Sequence, residues 1–184
     1  MNVYDFDRTI YDGDSTVDFY IYCIKNSPKL LVYFPRQVFA LLKYLFKIHN
    51  KTEFKEQFYT FLNGIKDVDA SICDFWAKHG KKIAPWYLSQ KEATDIVISA
   101  SPEFLLKPIT QNLGVDLIAS LVCSNTGKYT GLNCYGEEKV RRFFEKYPDG
   151  LIENFYSDSL SDEYMAKIAK NSYLVTNGKI NNWK

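Results

Sequence analysis

Residues 2–9 read Asn-Val-Tyr-Asp-Phe-Asp-Arg-Thr (NVYDFDRT), an apolar, strand-like run that carries two aspartates one residue apart. Strand side chains alternate between faces, so Asp5 and Asp7 share one side if the extended conformation continues that far. The polar run Tyr11-Asp-Gly-Asp-Ser15 reads as the loop that ends the strand, which puts both carboxylates at its C-terminal end. In parallel α/β sheets that is the end where ligands bind. A single strand-end aspartate is an ordinary turn former or helix cap. Two of them, followed by Thr9, repel each other unless a cation or phosphate chemistry offsets the repulsion.

Beyond this loop the apolar spacing changes period. Phe19-Tyr20-Cys23, the stretch 30–48, Phe54-Phe58-Phe61-Leu62 and Ile72-Phe75-Trp76 recur at three- and four-residue steps, with breaks near Asn26-Ser-Pro28, His49-Asn50 and Asn63-Gly64. This predicts a block of helices from residue 14 to about 90. Strands and helices then alternate: strands over 95–99, 116–124, 151–157 and 172–176, and helices over 102–113, 137–147 and 161–170, with an extended excursion or hairpin near 128–132. Such alternation predicts a doubly wound parallel sheet, split after its first strand by a helical insertion.

The composition narrows the function classes. With 184 residues, 46% of them apolar and 16% aromatic, the chain suits one folded domain or one domain with an insert. A net charge of +1 and the lack of a basic, aromatic-rich block give no case for nucleic acid. Cysteines 23, 73, 123 and 134 have no CxxC spacing, and no leader precedes the first strand, so reduced thiols in a cytoplasmic protein are expected. The run Leu30–Ile48, LLVYFPRQVFALLKYLFKI, is interrupted by Arg36, Lys43, Lys47 and Pro35 and is not read as a membrane span. Its charges at i, i+7 and i+11 fall on one helical face, as in an amphipathic core helix; a membrane-surface helix is the secondary reading.

Three further polar features belong at strand ends or early in helices. Ser99, in DIVISASPEF, precedes a helix whose free N–H groups favour an anion, and Ser101 reads as that helix's N-cap with Pro102 at its first position. Asp158 and Asp162, in YSDSLSD, are hard oxygen ligands of the kind Mg²⁺ prefers. Lys139, in GEEKVRRF, lies early in a helix.

Together these residues resemble the haloacid dehalogenase-like (HAD) superfamily, and within it the phosphoserine-phosphatase-like branch, subfamily IB. DFDRT is similar to its first motif, DxDx[TV], Ser99 to its second, Lys139 to its third, and SDSLSD to its fourth, GDxxxD, with Ser157 in place of the glycine. The resemblance implies an α/β Rossmann-like core formed by residues 1–13 and 91–184, under a helical C1-type cap of residues 14–90. It implies that Asp5 attacks phosphorus to form an aspartyl-phosphate and that Asp7 serves as general acid and then base. Mg²⁺ is implied at Asp5, the Asp7 main-chain carbonyl and Asp158, with Asp162 as a further ligand or a supporting partner. Ser99, Ala100, Thr9 and Lys139 would hold the phosphoryl oxygens. Asp14 stands where phosphoserine phosphatases place a glutamate for the substrate amine; their cap arginine has no match, and Ala100-Ser101-Pro102 replaces their glycine pair. The expected activity is therefore Mg²⁺-dependent hydrolysis of a small phosphomonoester rather than of phosphoserine. A phosphotransferase of the same fold, a phospholipid head-group phosphatase suggested by residues 30–48, and a non-catalytic phosphate-binding protein are the alternatives. The expected partner is a small phosphorylated metabolite; oligomeric state is not legible.

Overall fold

The computed structural model describes residues 1–183. Six strands form one sheet in the order β3-β2-β1-β4-β5-β6: β1 is Asn2–Tyr4, β2 Ile96–Pro102, β3 Asp116–Ser120, β4 Ile152–Ser157, β5 Ala169–Thr176 and β6 Lys179–Asn182. All neighbours run parallel except β5 and β6. From β1 the chain builds outward on one side through β2 and β3, then crosses to the other side for β4. The order of strand addition reverses between β1 and β4, so a crevice opens beyond the C-terminal ends of β1, β2 and β4. DFDRT, Ser99 and SDSLSD all leave strands at that crevice.

Alternation on β1 explains its two-sided burial. Val3 joins one core with Ile96, Ile98, Phe143 and Met165, while Tyr4 joins the other with Val97, Leu106 and Phe75. The register Tyr4↔Tyr156↔Tyr173 stacks three phenol rings across β1, β4 and β5, with centroids 4.8 Å apart at each step. Such cross-strand aromatic pairs help hold the register of the strands that carry the site.

Residues 15–90 are helical, in five α-helices joined by short 3₁₀ turns: α1 Ser15–Asn26, α2 Phe34–Leu45, α3 Lys51–Phe58, α4 Val68–His79 and α5 Pro85–Gln90. Each start has a local cause. Asp14 caps α1 through the Val17 amide, Asn50 and Glu53 form a capping box on α3, Asp67 caps α4 through the Ala70 amide, and proline opens α2 and α5. The remaining helices are α6 Glu103–Leu113, α7 Glu137–Lys146 and α8 Glu163–Ile168. The expected excursion is a small hairpin, in which Tyr129 bridges Val122. At its turn Gly127 has φ +71°, and a Cβ there would meet Tyr59 Cβ at 2.4 Å, so glycine lets this core loop lie directly on the helical block.

Two local expectations are corrected. The stretch 30–48 is not a core helix. Only Leu30, Gln37 and Ala40 are buried, whereas Phe34, Phe39, Leu42, Leu45, Phe46 and Ile48 lie at the surface. Helical periodicity identifies a face without saying which way it turns, and here the narrow stripe of Gln37 and Ala40 makes the contact. Ser101 is not the N-cap of α6: Pro102 takes that position with no side-chain cap, and the Ser101 hydroxyl goes elsewhere. The last strand was also only part of the ending. Asn177 and Gly178, both with positive φ, turn the chain back into β6, and an Asn-Gly pair between extended runs is the sequence signal for that hairpin.

Candidate active site

The crevice holds a cleft of about 230 Å³. Asp5 enters it directly from β1, its own amide donating to the Tyr156 carbonyl of β4 at 2.8 Å. Opposite, the first turn of α7 delivers Lys139, which is 2% exposed and therefore cannot be a solvated surface lysine. Its ammonium donates to Asp5 Oδ1 and Asp162 Oδ2, each at 2.7 Å. Burial alone would pull this lysine's pKa down, but the two carboxylates outweigh it and hold Lys139 charged, above the ordinary lysine range. Asp5 differs: burial pushes its pKa up to about 7 against the attraction of Lys139, because Asp162 and Asp7 add repulsion. The two shifts share a direction because one cation serves two anions.

Asp7 follows two residues later, in the loop after β1. Its Oδ1 accepts from the Ser15 amide at the start of α1 at 2.6 Å, and its Oδ2 from the Ser101 hydroxyl at 2.5 Å. Burial and the nearby charge of Asp14 still raise its pKa, against those two hydrogen bonds. The Ser101 oxygen also lies 3.2 Å from Thr16 Oγ1, so one hydroxyl pair joins Asp7, α1 and the end of β2. Ser99 is buried, and its oxygen accepts from the Ser101 amide at 3.1 Å, leaving its own hydrogen free to donate into the cleft. Ala100 lies beside it, with its carbonyl held by Lys55 and Ser120.

The fourth motif comes from the end of β4. Ser157 donates to Asp162 Oδ2 at 2.8 Å and accepts from the Ser159 amide at 3.1 Å, so the hydroxyl that replaces glycine braces the partner of Lys139. No glycine-like conformation is required there: the non-glycine residues with positive φ, among those described, are Arg8, Lys47 and Asn177. Asp158 is half-buried on the cleft wall, and burial raises its pKa while the charge of Arg8 opposes the rise. Asp14 also lines the cleft, 3.8 Å from the Arg8 guanidinium. Thr9 does not line it. Its hydroxyl is buried without a hydrogen-bond partner beneath the loop.

The carboxylates suit a hard cation. Asp5 makes its hydrogen bond through Oδ1, leaving Oδ2 open, and Asp158 presents its carboxylate to the same cleft. Among the described residues no three acidic, cysteine or histidine side chains close into a cage. A Mg²⁺ site needs only one or two carboxylates, because waters and a substrate phosphate complete the octahedron.

Sequence reading named Asp14 from the helical block but missed the two lysines that α3 contributes. Lys55 of α3 donates to the Ala100 carbonyl at 2.8 Å, and Lys51, one turn earlier, lies 3.6 Å from the centre of the Tyr135 ring. The only sequence signal is the i, i+4 pair of lysines behind a capping box. Burial and the charge of Lys51 lower the Lys55 pKa to about 8. A lysine held below its ordinary 10.5 binds fewer protons folded than unfolded between those values, so its cost is full below pH 8 and vanishes above about 10.5. Lys55→Met should therefore raise stability at pH 7 by about 1–2 kcal/mol, since partial exposure screens some of the shift. It should also flatten the rise in stability between pH 8 and 10.5, as read by urea unfolding; an unchanged slope would refute the assignment.

Comparison with known proteins gives the lineage. Residues 3–167 match the model of the haloacid dehalogenase-like hydrolases. A stretch of 97 residues is 34% identical to Protein CicA of Caulobacter vibrioides, covering 48% of this chain and 44% of that relative, so the match spans less than half of each. Among solved structures, a protein of unknown function from Bordetella pertussis Tohama I is similar with TM-score 0.73 at 20% identity, covering 94% of this chain and 87% of that one. A phosphoserine phosphohydrolase-like protein from Francisella tularensis has TM-score 0.60 at 14% identity, with coverages of 97% and 88%. A probable phosphoserine phosphatase from Vibrio cholerae has TM-score 0.63 at 12% identity, with coverages of 93% and 55%. At these identities the structures speak for the fold alone, but the family model runs through β1, β2, α7 and β4, the elements that supply the cleft. The chain belongs to the haloacid dehalogenase-like hydrolases.

Proposed function

We propose that this hydrolase is a Mg²⁺-dependent phosphatase that cleaves a small phosphomonoester through an aspartyl-phosphate on Asp5. The observation that carries the reading is the buried Lys139 bridge between Asp5 and Asp162, on the floor of a cleft that also holds Asp7, Ser99 and Asp158. A purely structural ion pair has no need of further carboxylates and an open hydroxyl donor around it.

In this reading an Asp5 oxygen attacks phosphorus and the bond to the ester oxygen breaks. Asp7 gives that oxygen its proton, a role favoured by a pKa raised through burial. Ser101 can turn its hydroxyl toward Thr16 and free Asp7 Oδ2 for the leaving group. Water then attacks the same phosphorus, Asp7 takes its proton, and the bond to Asp5 breaks, releasing phosphate. Ser99 and Lys139 hold the phosphoryl oxygens, with Ala100 beside them, while Thr9 supports the loop. Mg²⁺ would be held by the Asp5 carboxylate, the Asp7 main-chain carbonyl and Asp158, with Asp162 behind, and it supplies the positive charge that lets a phosphate dianion approach these carboxylates.

Residues 14–90 act as the cap over a core of 1–13 and 91–184, with Asp14, Lys51 and Lys55 lining the substrate side. A cleft of about 230 Å³ favours a small leaving alcohol. The four thiols are free, and the expected setting remains a reducing cytoplasm. The test is phosphate release over a panel of phosphorylated metabolites and lipid phosphates, in Mg²⁺ and in EDTA. Turnover of at least one monoester that EDTA abolishes is expected. Equal turnover in EDTA would overturn the metal assignment, and acceleration by added alcohols or sugars would instead favour a phosphotransferase.

A further inference from the structure

The exposed side of α2 is built opposite to a core helix. Its inward stripe is fixed by polar and aromatic contacts: Gln37 donates to the Phe58 carbonyl at 2.8 Å and accepts from the Tyr20 hydroxyl, and Tyr44 stacks on Phe54 with centroids 5.3 Å apart. The apolar residues are left outside. Phe34, Leu45, Phe46 and Ile48 are 52%, 65%, 75% and 67% exposed, and Phe39 and Leu42 lie beside them. Contiguous exposed apolar surface of this kind marks a contact with something other than water.

Charge identifies the occupant. Between Asp18 and Glu53 the chain carries Lys25, Lys29, Arg36, Lys43, Lys47 and Lys51 and not one carboxylate, although the whole protein is nearly neutral. Arg36 and Lys43, seven residues apart, lie along one edge of the apolar face of α2, where Arg36 donates to Gln57 of α3 at 2.8 Å and the Lys43 ammonium lies 4.7 Å from the centre of the Phe39 ring. A second copy meeting this face through its own would press mostly cations on cations, with Glu53 the acid that lines the same hollow as Lys47 and Ile48. An anionic bilayer offers both an apolar interior for the phenylalanines and leucines and negative head groups for the lysines. No helix among the described residues is long and apolar enough to cross a membrane, so the contact is with the surface. We propose that α2 and the turn after it dock this protein on anionic phospholipid bilayers. Because α3 follows that turn and carries Lys51 and Lys55 to the cleft, docking holds the cleft wall next to the lipid surface.

The test is flotation of the whole chain with vesicles of phosphatidylcholine, or of equal parts phosphatidylcholine and phosphatidylglycerol. The protein should float with the mixed vesicles at low salt, much less at high salt, and scarcely with phosphatidylcholine alone. The double variants Leu45→Asp/Phe46→Asp and Lys43→Glu/Lys47→Glu should each lose about tenfold or more in partition. Both should keep their melting temperature and their hydrolysis of a soluble aryl phosphate, since all four positions are away from the cleft. Three results would overturn the proposal: wild type that stays unbound with both vesicles, equal partition to both regardless of salt, or a wild-type dimer in light scattering that Leu45→Asp/Phe46→Asp converts to monomer.

Discussion

Lys139→Met is expected to destabilise the metal-free protein by about 3–5 kcal/mol at pH 7, the range for removing one partner of a buried ion pair. Methionine matches the stem of lysine in volume, so packing is nearly conserved and the loss isolates the charge. Asp5 and Asp162, each 2.7 Å from the missing ammonium, would then lie buried against each other with no cation between them. Protonation of Asp5 relieves the repulsion. With the lysine's attraction gone, the pKa of Asp5, already raised by burial, should rise further in the folded variant, and a raised carboxyl contributes stability that is lost as pH rises through its folded pKa. Urea unfolding across pH 5–8 should show the deficit smallest at the acid end and growing toward neutrality. Added Mg²⁺ should recover part of it, because an ion in the cleft supplies the charge that the lysine gave. A deficit below about 1 kcal/mol, flat with pH, would mean that Lys139 is not what balances these carboxylates.

The difference between Lys139 and the other helix lysines also separates what the sequence discloses from what it withholds. The sheet was readable because each strand is a short apolar run bounded by turn residues, and because strand, helix, strand in alternation leaves little topological choice. The site residues at strand ends were readable for the same reason: Asp5, Ser99 and Asp158 are polar residues placed just where apolar runs stop. Lys139, by contrast, sits in a run of charges, EEKVRR, that looks like any solvated helix face, and only the motif resemblance singled it out. Its burial depends on α7 packing beneath the crevice, a fact of three dimensions. Lys55 was invisible because nothing local marks which face of α3 looks at the cleft. Ser101 was misread for a related reason: its position before Pro102 satisfies the local rule for a cap, but Asp7, far away in the chain, is the stronger acceptor. The stretch 30–48 failed in the opposite direction. Its periodicity was right and its orientation was not, because amphipathicity fixes two faces and leaves the choice of neighbour to the rest of the fold.

Asp5→Asn should abolish turnover, by about 10⁴-fold or more as for loss of a covalent nucleophile, while leaving the fold at least as stable. The two halves of this expectation have one cause. An amide keeps the shape of the carboxyl and an oxygen for the Lys139 ammonium, but it cannot be phosphorylated and carries no charge. The native carboxyl is held near pKa 7, well above 3.8, because burial and the neighbouring Asp162 and Asp7 work against its ionised form. A raised acid in the folded state makes wild-type stability fall as pH climbs from about 3.8 through about 7, since the native state binds the extra proton in that window. The amide has no proton to lose, so the variant should gain on the wild type across that interval and lead it by pH 8 in EDTA. In Mg²⁺ the order should reverse, because the ion stabilises the ionised wild-type site and finds one fewer charged ligand in the variant. Paired melting curves at pH 5 and pH 8, with and without the ion, together with single-turnover phosphate release, read every term. Retained turnover would remove Asp5 from the chemistry. Lost turnover with a wild-type dependence of stability on pH would keep the nucleophile but deny that its charge is what the cleft is strained to hold.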